Sequence, residues 1–150
     1  MRSPRVARAL GSFLLAAGSW TLIASLWMPW YRLDRVIAYE PSVIPPASFF
    51  SAWARFALVD VLLMVVALAA LVLALATARG WRPPRRWSLP VTLMLANGVA
   101  LVLFRMAHAP DLGRLPEVVQ YSVSVGYGSL VALIAAGTLV LGSWLSAEAR

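Results

Sequence analysis

Four long apolar runs constrain this chain more than any other feature of its sequence. They cover residues 9–29, 54–77, 88–107 and 122–145, and each is long enough to cross a bilayer as a helix, which takes about 20 apolar residues. The segments that remain leave room for one compact bundle. We therefore predict a single all-α domain over residues 1–150, an integral membrane bundle of four transmembrane helices.

The charged residues are distributed unevenly around these runs. Lysine is absent, so all 13 basic residues are arginines. The arginines before the first run, between the second and third, and after the fourth give, with Glu148, a net charge of +7. The other five arginines are balanced by five acidic residues. Because arginine accumulates on the cytoplasmic side of membrane proteins, this distribution predicts that the N and C termini are both cytoplasmic.

Composition also limits the chemistry that the chain can perform. It has no cysteine, which excludes disulfides, thiol redox centres and cysteine metal sites. His108 is the single histidine, so one chain cannot hold a bis-histidine haem, and the position of His108 in an outer loop disfavours a Ser-His-Asp triad. The arginines flank apolar runs and form no soluble patch, which disfavours nucleic acid. We predict a protein that is not an enzyme and has no cofactor, no metal and no nucleic-acid partner.

The first run has a second interpretation, as a signal peptide. Arg2, Arg5 and Arg8 would form its basic region, and Ala16-Ala17-Gly18 is a weak cleavage site in the middle of the run. The apolar stretch from Ala9 to Pro29 is, however, longer than the roughly 7–15 residues of a signal-peptide core. We therefore expect an uncleaved first span.

Three polar residues lie inside the apolar runs and form a predicted intramembrane cluster. Asp60 is in the second run, and an ionisable group near the bilayer centre costs about 2.5–3.5 kcal/mol. Arg105, near the outer end of the third run, is its expected partner. Asn97 lies about 80° around the same helix from Arg105 at 100° per residue. A structural ion pair is the favoured interpretation of Asp60, and a proton- or ion-handling carboxylate is the alternative.

Aromatic residues bunch around the first outer connection, where Pro41, Pro45 and Pro46 disfavour regular structure. Such clusters are typical of membrane interfaces, and together they predict an apolar surface on the outer side. The residues of this outer aromatic surface are Trp27, Trp30, Tyr31, Phe49, Phe50 and Trp53.

Small residues recur every four positions in the fourth run. They are Ser124, Gly128, Ala132 and Ala136. Small residues at this spacing let a second helix approach closely. The pattern predicts a helix-packing stripe, and whether its partner lies in the same chain stays open.

Two short motifs resemble a known pattern. They are Ser25-Leu26-Trp27-Met28-Pro29-Trp30-Tyr31 and Ser51-Ala52-Trp53-Ala54-Arg55-Phe56, the second followed by Asp60-Val61-Leu62-Leu63. This resembles uncharacterised small four-span membrane proteins of actinobacteria, which read LPWY after the first span and AW..F...D.L into the second. Met28 replaces the usual leucine. The resemblance implies the four-span fold and an actinobacterial source, and no activity. We predict a multi-pass protein of the bacterial inner membrane.

We therefore expect a non-enzymatic accessory or scaffold subunit that recognises a membrane partner or lipid. Its expected partners are membrane lipids and either other membrane protein subunits or further copies of the chain. The alternative is a small transporter or proton-coupled channel centred on Asp60, Asn97 and Arg105. The two differ in hydration, because a transport site needs a hydrated pocket that reaches Asp60.

Overall fold

Four long helices follow the four apolar runs. The computed structural model describes residues 4–38, 49–51, 57–81, 84–108 and 119–148. The helices are α1 (Pro4–Ser25), α2 (Ala57–Ala78), α3 (Ser88–Ala107) and α4 (Tyr127–Glu148). Each helix is long and apolar enough to cross a membrane, which confirms the prediction of four such helices.

Helices α1 and α4 share the most extensive helix–helix contact of the bundle. Glycines allow this approach: a Cβ atom added to Gly142 would lie 3.0 Å from the carbonyl oxygen of Gly11, and one added to Gly18 would lie 3.1 Å from that of Ala135. Such contacts bring two backbones together without side chains between them. Helix α2 packs on α1 and helix α3 packs on α4, while α2 and α3 share a narrower contact.

Three strands cover one end of the bundle, which we call the sheet end. They are β1 (Pro29–Ala38), β2 (Phe49–Ser51) and β3 (Val119–Val125), and they form an antiparallel sheet in the order β2-β1-β3. Strands β1 and β3 pair from Tyr31 with Val125 to Ala38 with Val119. The purely α-helical class predicted from the sequence misses this sheet.

The sheet changes the expected helix boundaries. Helix α1 ends at Ser25, a tight turn follows, and Pro29 opens β1, so the first helix stops earlier than its apolar run. The fourth helix begins at Tyr127 and not near residue 122, because Val119–Val125 is a strand. That segment alternates apolar and polar side chains, the period of a strand with one covered face.

The core is made of side chains from all four helices and from β1. Leucines of α1 and alanines of α2 and α4 are fully buried, together with Trp30 of β1. Large apolar residues such as Leu58, Phe13 and Ile134 point outward instead. The interior of the bundle therefore combines leucines with small residues, while many large apolar side chains remain on its surface.

Candidate functional site

An ion pair at the sheet end joins α2 to α3. Asp60 lies in the first turn of α2 and Arg105 in the last turn of α3. The Nη1 atom of Arg105 donates to Oδ1 of Asp60, and both side chains are 0% exposed. The short connection between α2 and α3 makes them antiparallel neighbours, which brings these two turns to the same depth.

Strand β1 covers the ion pair with two aromatic rings. The guanidinium carbon of Arg105 lies 4.5 Å from the ring centroid of Trp30 and 5.7 Å from that of Tyr31. A cation within about 6 Å of an aromatic ring is attracted to the electrons of its face. The arginine is thus held by a carboxylate and by two aromatic rings, from an element that is distant in sequence.

Both aromatic side chains also end in hydrogen bonds to helix carbonyls. The Tyr31 hydroxyl donates to the Arg105 carbonyl oxygen at 3.0 Å, and Nε1 of Trp30 donates to the Ser25 carbonyl oxygen at 2.6 Å. The last carbonyls of a helix lack partners within the helix. Trp30 and Tyr31 therefore cap the ends of α1 and α3 while they cover the ion pair.

The start of α4 is tied to the same place. The backbone N–H of Gly126 donates to the carbonyl oxygen of Trp30 at 2.7 Å. A Cβ atom on Gly128 would lie 2.8 Å from the carbonyl oxygen of Pro29, which is closer than two such atoms can approach. Glycine at position 128 therefore lets β1 lie against α4, and all four helices meet at this junction.

The ion pair leaves one carboxylate oxygen unused. Among the described residues, Oδ2 of Asp60 accepts no hydrogen bond. Taking two charges out of water is expensive, and their attraction repays that cost only with good geometry. The arrangement can hold two helices together, and the remaining oxygen could accept a proton.

In the described part of the chain no group of three or more His, Cys, Asp or Glu side chains could hold a metal ion.

Asn97 does not join the cluster predicted for it. The structure brings Asp60 and Arg105 together, whereas the Asn97 side chain is exposed on the outward face of α3. Its helical angle of about 80° from Arg105 is wide enough to leave the buried face. In an apolar helix, the sequence does not distinguish the face that meets lipid from the face that meets the core, so the exposure of Asn97 could not be predicted.

The predicted outer aromatic surface is only partly exposed. Trp27 is exposed, but Trp30 and Tyr31 are buried against Arg105. Their burial corrects the prediction, and the physical reason is that β1 folds back onto the bundle end. Phe49 and Phe50 lie in β2, and Trp53 lies outside the described residues.

The predicted helix-packing stripe is divided between two elements. Ser124 lies in β3, paired with Arg32 of β1, so it is not part of α4. Gly128 faces β1, while Ala132 and Ala136 are buried in the core. The close approach of α4 to α1 uses other small residues, Ala135 and Gly142.

Two hydroxyl pairs at the opposite end of the bundle were not anticipated. Oγ of Ser12 lies 3.1 Å from Oγ1 of Thr77, and Oγ1 of Thr92 lies 3.0 Å from Oγ of Ser143. They join α1 to α2 and α3 to α4. The available signal was the presence of a hydroxyl residue in each apolar run near that end of the bundle.

Helices α2 and α3 diverge at that opposite end. They touch at the ion pair, and again at Gly98, where an added Cβ atom would lie 3.2 Å from Val66. Beyond this point an apolar groove of about 440 Å³ opens between them, with Trp81 and Trp87 in its lining. Asp60 and Arg105 do not line this groove.

Comparison with models of protein families, with curated proteins and with solved structures finds no match for this chain. The contacts, burial and charges of the described residues therefore carry the functional proposal.

Proposed function

We propose that this chain is a non-enzymatic, multi-pass membrane protein that acts as an accessory or scaffold subunit for a membrane partner or lipid. The observation that supports this most is the enclosure of its ion pair. Asp60 and Arg105 are 0% exposed and lie beneath Trp30 and Tyr31. A carboxylate that carries protons or ions must meet water along the transport path, whereas a structural ion pair is excluded from it.

The surface of the bundle supports a membrane environment. Leu58, Phe13, Val72 and Ile134 are each more than 60% exposed, although the helices that carry them pack their small residues inward. Soluble monomers rarely expose apolar patches of this extent, and lipid tails solvate them without cost. The arginine distribution favours cytoplasmic termini, and we propose on that basis that the sheet lies on the outer side of a bacterial inner membrane.

The sheet end is suited to recognition because the junction fixes it to the helices. Strand β1 contacts α3 through Arg105, α4 through Gly128, and the residue before α4, Gly126. Trp27 stays exposed at its edge. A platform held at several points presents such a residue without losing much conformational entropy on binding, which favours association.

One observation favours the alternative of a small transporter or proton-coupled channel. Oδ2 of Asp60 has no hydrogen-bond partner among the described residues, and a carboxylate oxygen in that position can take up a proton. The position of Asn97 argues against this alternative. A channel centred on Asp60, Asn97 and Arg105 would need all three side chains together, and Asn97 lies on the outward face of α3.

Flux measurements separate the two functions. The purified protein is reconstituted in vesicles that contain a pH-sensitive dye, and a pH gradient and a membrane potential are imposed. An accessory subunit gives the same proton leak with and without Asp60→Asn. A flux that Asp60→Asn abolishes, while Trp27→Ala retains it, would overturn the proposal in favour of the channel.

Photo-crosslinking tests the recognition role directly. A photoreactive phenylalanine analogue replaces Trp27, at the sheet end, or Trp20, which lies within α1 five residues before its end. The two are matched in exposure, at 61% and 62%. A partner held at the sheet end gives a discrete protein adduct at position 27 and lipid adducts at position 20. The same adducts at both positions would show that the sheet end is not selective.

A further inference from the structure

Asn97 is a polar side chain at the place in the bundle where one is most costly. It is the tenth of the 20 residues of α3, so it lies about 14 Å from either helix end at 1.5 Å per residue. In a hydrocarbon layer about 30 Å thick, that is the centre. Its side chain is exposed, and it makes no hydrogen bond within the described part of the chain.

An amide in that position needs a partner from outside the protomer. Moving an amide from water to an apolar solvent without a hydrogen bond costs about 2–7 kcal/mol. Lipid tails offer neither donor nor acceptor. An asparagine amide has both, so two asparagines satisfy each other.

The residues around Asn97 form a regular exposed stripe, which we call the α3 seam. Its positions alternate by three and four residues, and all six are exposed: Pro90, Leu93, Asn97, Ala100, Phe104 and Ala107. This is the heptad spacing of two helices that cross at about 20° with side chains interdigitated. A single asparagine within such a seam fixes the register of the two helices.

Helix α3 also has the most surface left for a partner. Only 22% of its apolar window is buried, against 33% for each of the other three helices. Leu95 and Val102 face the bundle, about 140–160° around the helix from Asn97 at 100° per residue. The α3 seam therefore points away from α2 and α4.

We infer that the α3 seam packs against the α3 seam of a second copy of this chain, with the two Asn97 amides hydrogen-bonded to each other. Two copies inserted in the same orientation place Asn97 at the same depth, so a two-fold axis along the bilayer normal makes the amides meet. The seam carries no charge, and a different partner would need its own polar group at the bilayer centre. This inference rests on the proposed function and names a second copy as its partner.

Cysteine crosslinking in the membrane tests the seam. The natural chain has no cysteine, so single-cysteine variants need no further change. Phe104→Cys lies on the seam and Leu103→Cys beside it, and the two native side chains are both 48% exposed. We expect oxidation to give disulfide-linked dimers with Leu93→Cys, Ala100→Cys and Phe104→Cys, and much less with Leu103→Cys. Equal yields at positions 103 and 104, or no dimer at any position, would overturn the inference.

Replacing Asn97 tests the hydrogen bond. In bilayers, Asn97→Leu should raise the dimer dissociation constant about three- to twenty-fold, the range measured for hydrogen bonds between membrane helices. Asn97→Gln should retain most of the affinity. The thermal stability of the protomer should not change in Asn97→Leu, because the amide makes no hydrogen bond to the described residues of its own chain. An unchanged dissociation constant would contradict the inference.

Two outcomes separate this inference from the function on which it rests. Seam cysteines that capture a different membrane protein, with no dimer, would overturn the second copy and leave the accessory role intact. A proton flux that depends on Asp60 would overturn the accessory role, while seam crosslinks would still support the dimer.

Discussion

Asp60 in the first turn of α2 accepts a hydrogen bond from Arg105 in the last turn of α3. Each charge also suits the helix end that carries it. The partial positive charge of a helix N-terminus stabilises a carboxylate, and the partial negative charge of a C-terminus stabilises a guanidinium. The antiparallel hairpin places these two ends side by side. The two side chains are therefore stabilised by the helix ends that carry them as well as by each other.

Replacing one member of this ion pair should lower the free energy of unfolding more than replacing both. Asp60→Asn or Arg105→Gln alone leaves one buried charge without its partner, and such changes typically cost about 3–5 kcal/mol. The double variant leaves no charge behind, so its loss should be smaller than the sum of the two. The measurement is the free energy of unfolding in detergent for the wild type and all three variants. Additive losses would mean that the two side chains do not stabilise each other.

The Tyr31 hydroxyl should contribute the energy of one buried hydrogen bond. Tyr31→Phe keeps the ring beside Arg105 but removes the donor to its carbonyl oxygen. We expect a loss of about 1 kcal/mol in unfolding free energy. Tyr127→Phe is the matched control, because Tyr127 is exposed at the start of α4. Equal effects of the two substitutions would show that this cap adds nothing.

Glycines of α4 should respond to alanine in opposite directions. A Cβ atom at Gly128 would lie 2.8 Å from the Pro29 carbonyl oxygen, whereas one at Gly137 would meet nothing within 4 Å. Gly128→Ala should therefore separate β1 from α4 and lower the melting temperature. Gly137→Ala should raise stability, by at most about 1 kcal/mol, because alanine is the better helix former.

The comparison of these two variants tests the junction itself. Both introduce one methyl group into the same helix, so a general effect of alanine would move both melting temperatures the same way. A Gly128→Ala variant as stable as Gly137→Ala would mean that β1 does not lie against α4.

The four helices could be predicted from sequence because their length and apolarity are large signals. The sheet was missed although β3 carries a readable pattern. Residues Val119–Val125 alternate strictly, but residues 122–125 fall inside the apolar run 122–145, whose length favours one continuous helix. Gly126, which ends the strand, was the available boundary signal.

The inward and outward faces of the helices were harder to predict than their positions. In water, the polar face of a helix identifies its outside, but in an apolar helix the lipid-facing side is as hydrophobic as the core. Asp60 and Arg105 were paired correctly because two opposite charges in apolar helices have few other partners. Asn97 has no such unique partner, and its exposed position came only from the structure. The resemblance to actinobacterial membrane proteins stays a prediction.

The orientation of the bundle can be measured with an impermeant maleimide on intact cells. The arginine distribution predicts that the connection after α2, which contains the exposed Pro84, is cytoplasmic. Tyr39 and Leu112 lie outside the described residues, in the two connections on the other side. We expect Tyr39→Cys and Leu112→Cys to react in intact cells, and Pro84→Cys to react only after the cells are opened. Labelling of Pro84→Cys alone in intact cells would reverse the orientation, and would place the sheet, with its ion pair and its exposed Trp27, on the cytoplasmic side.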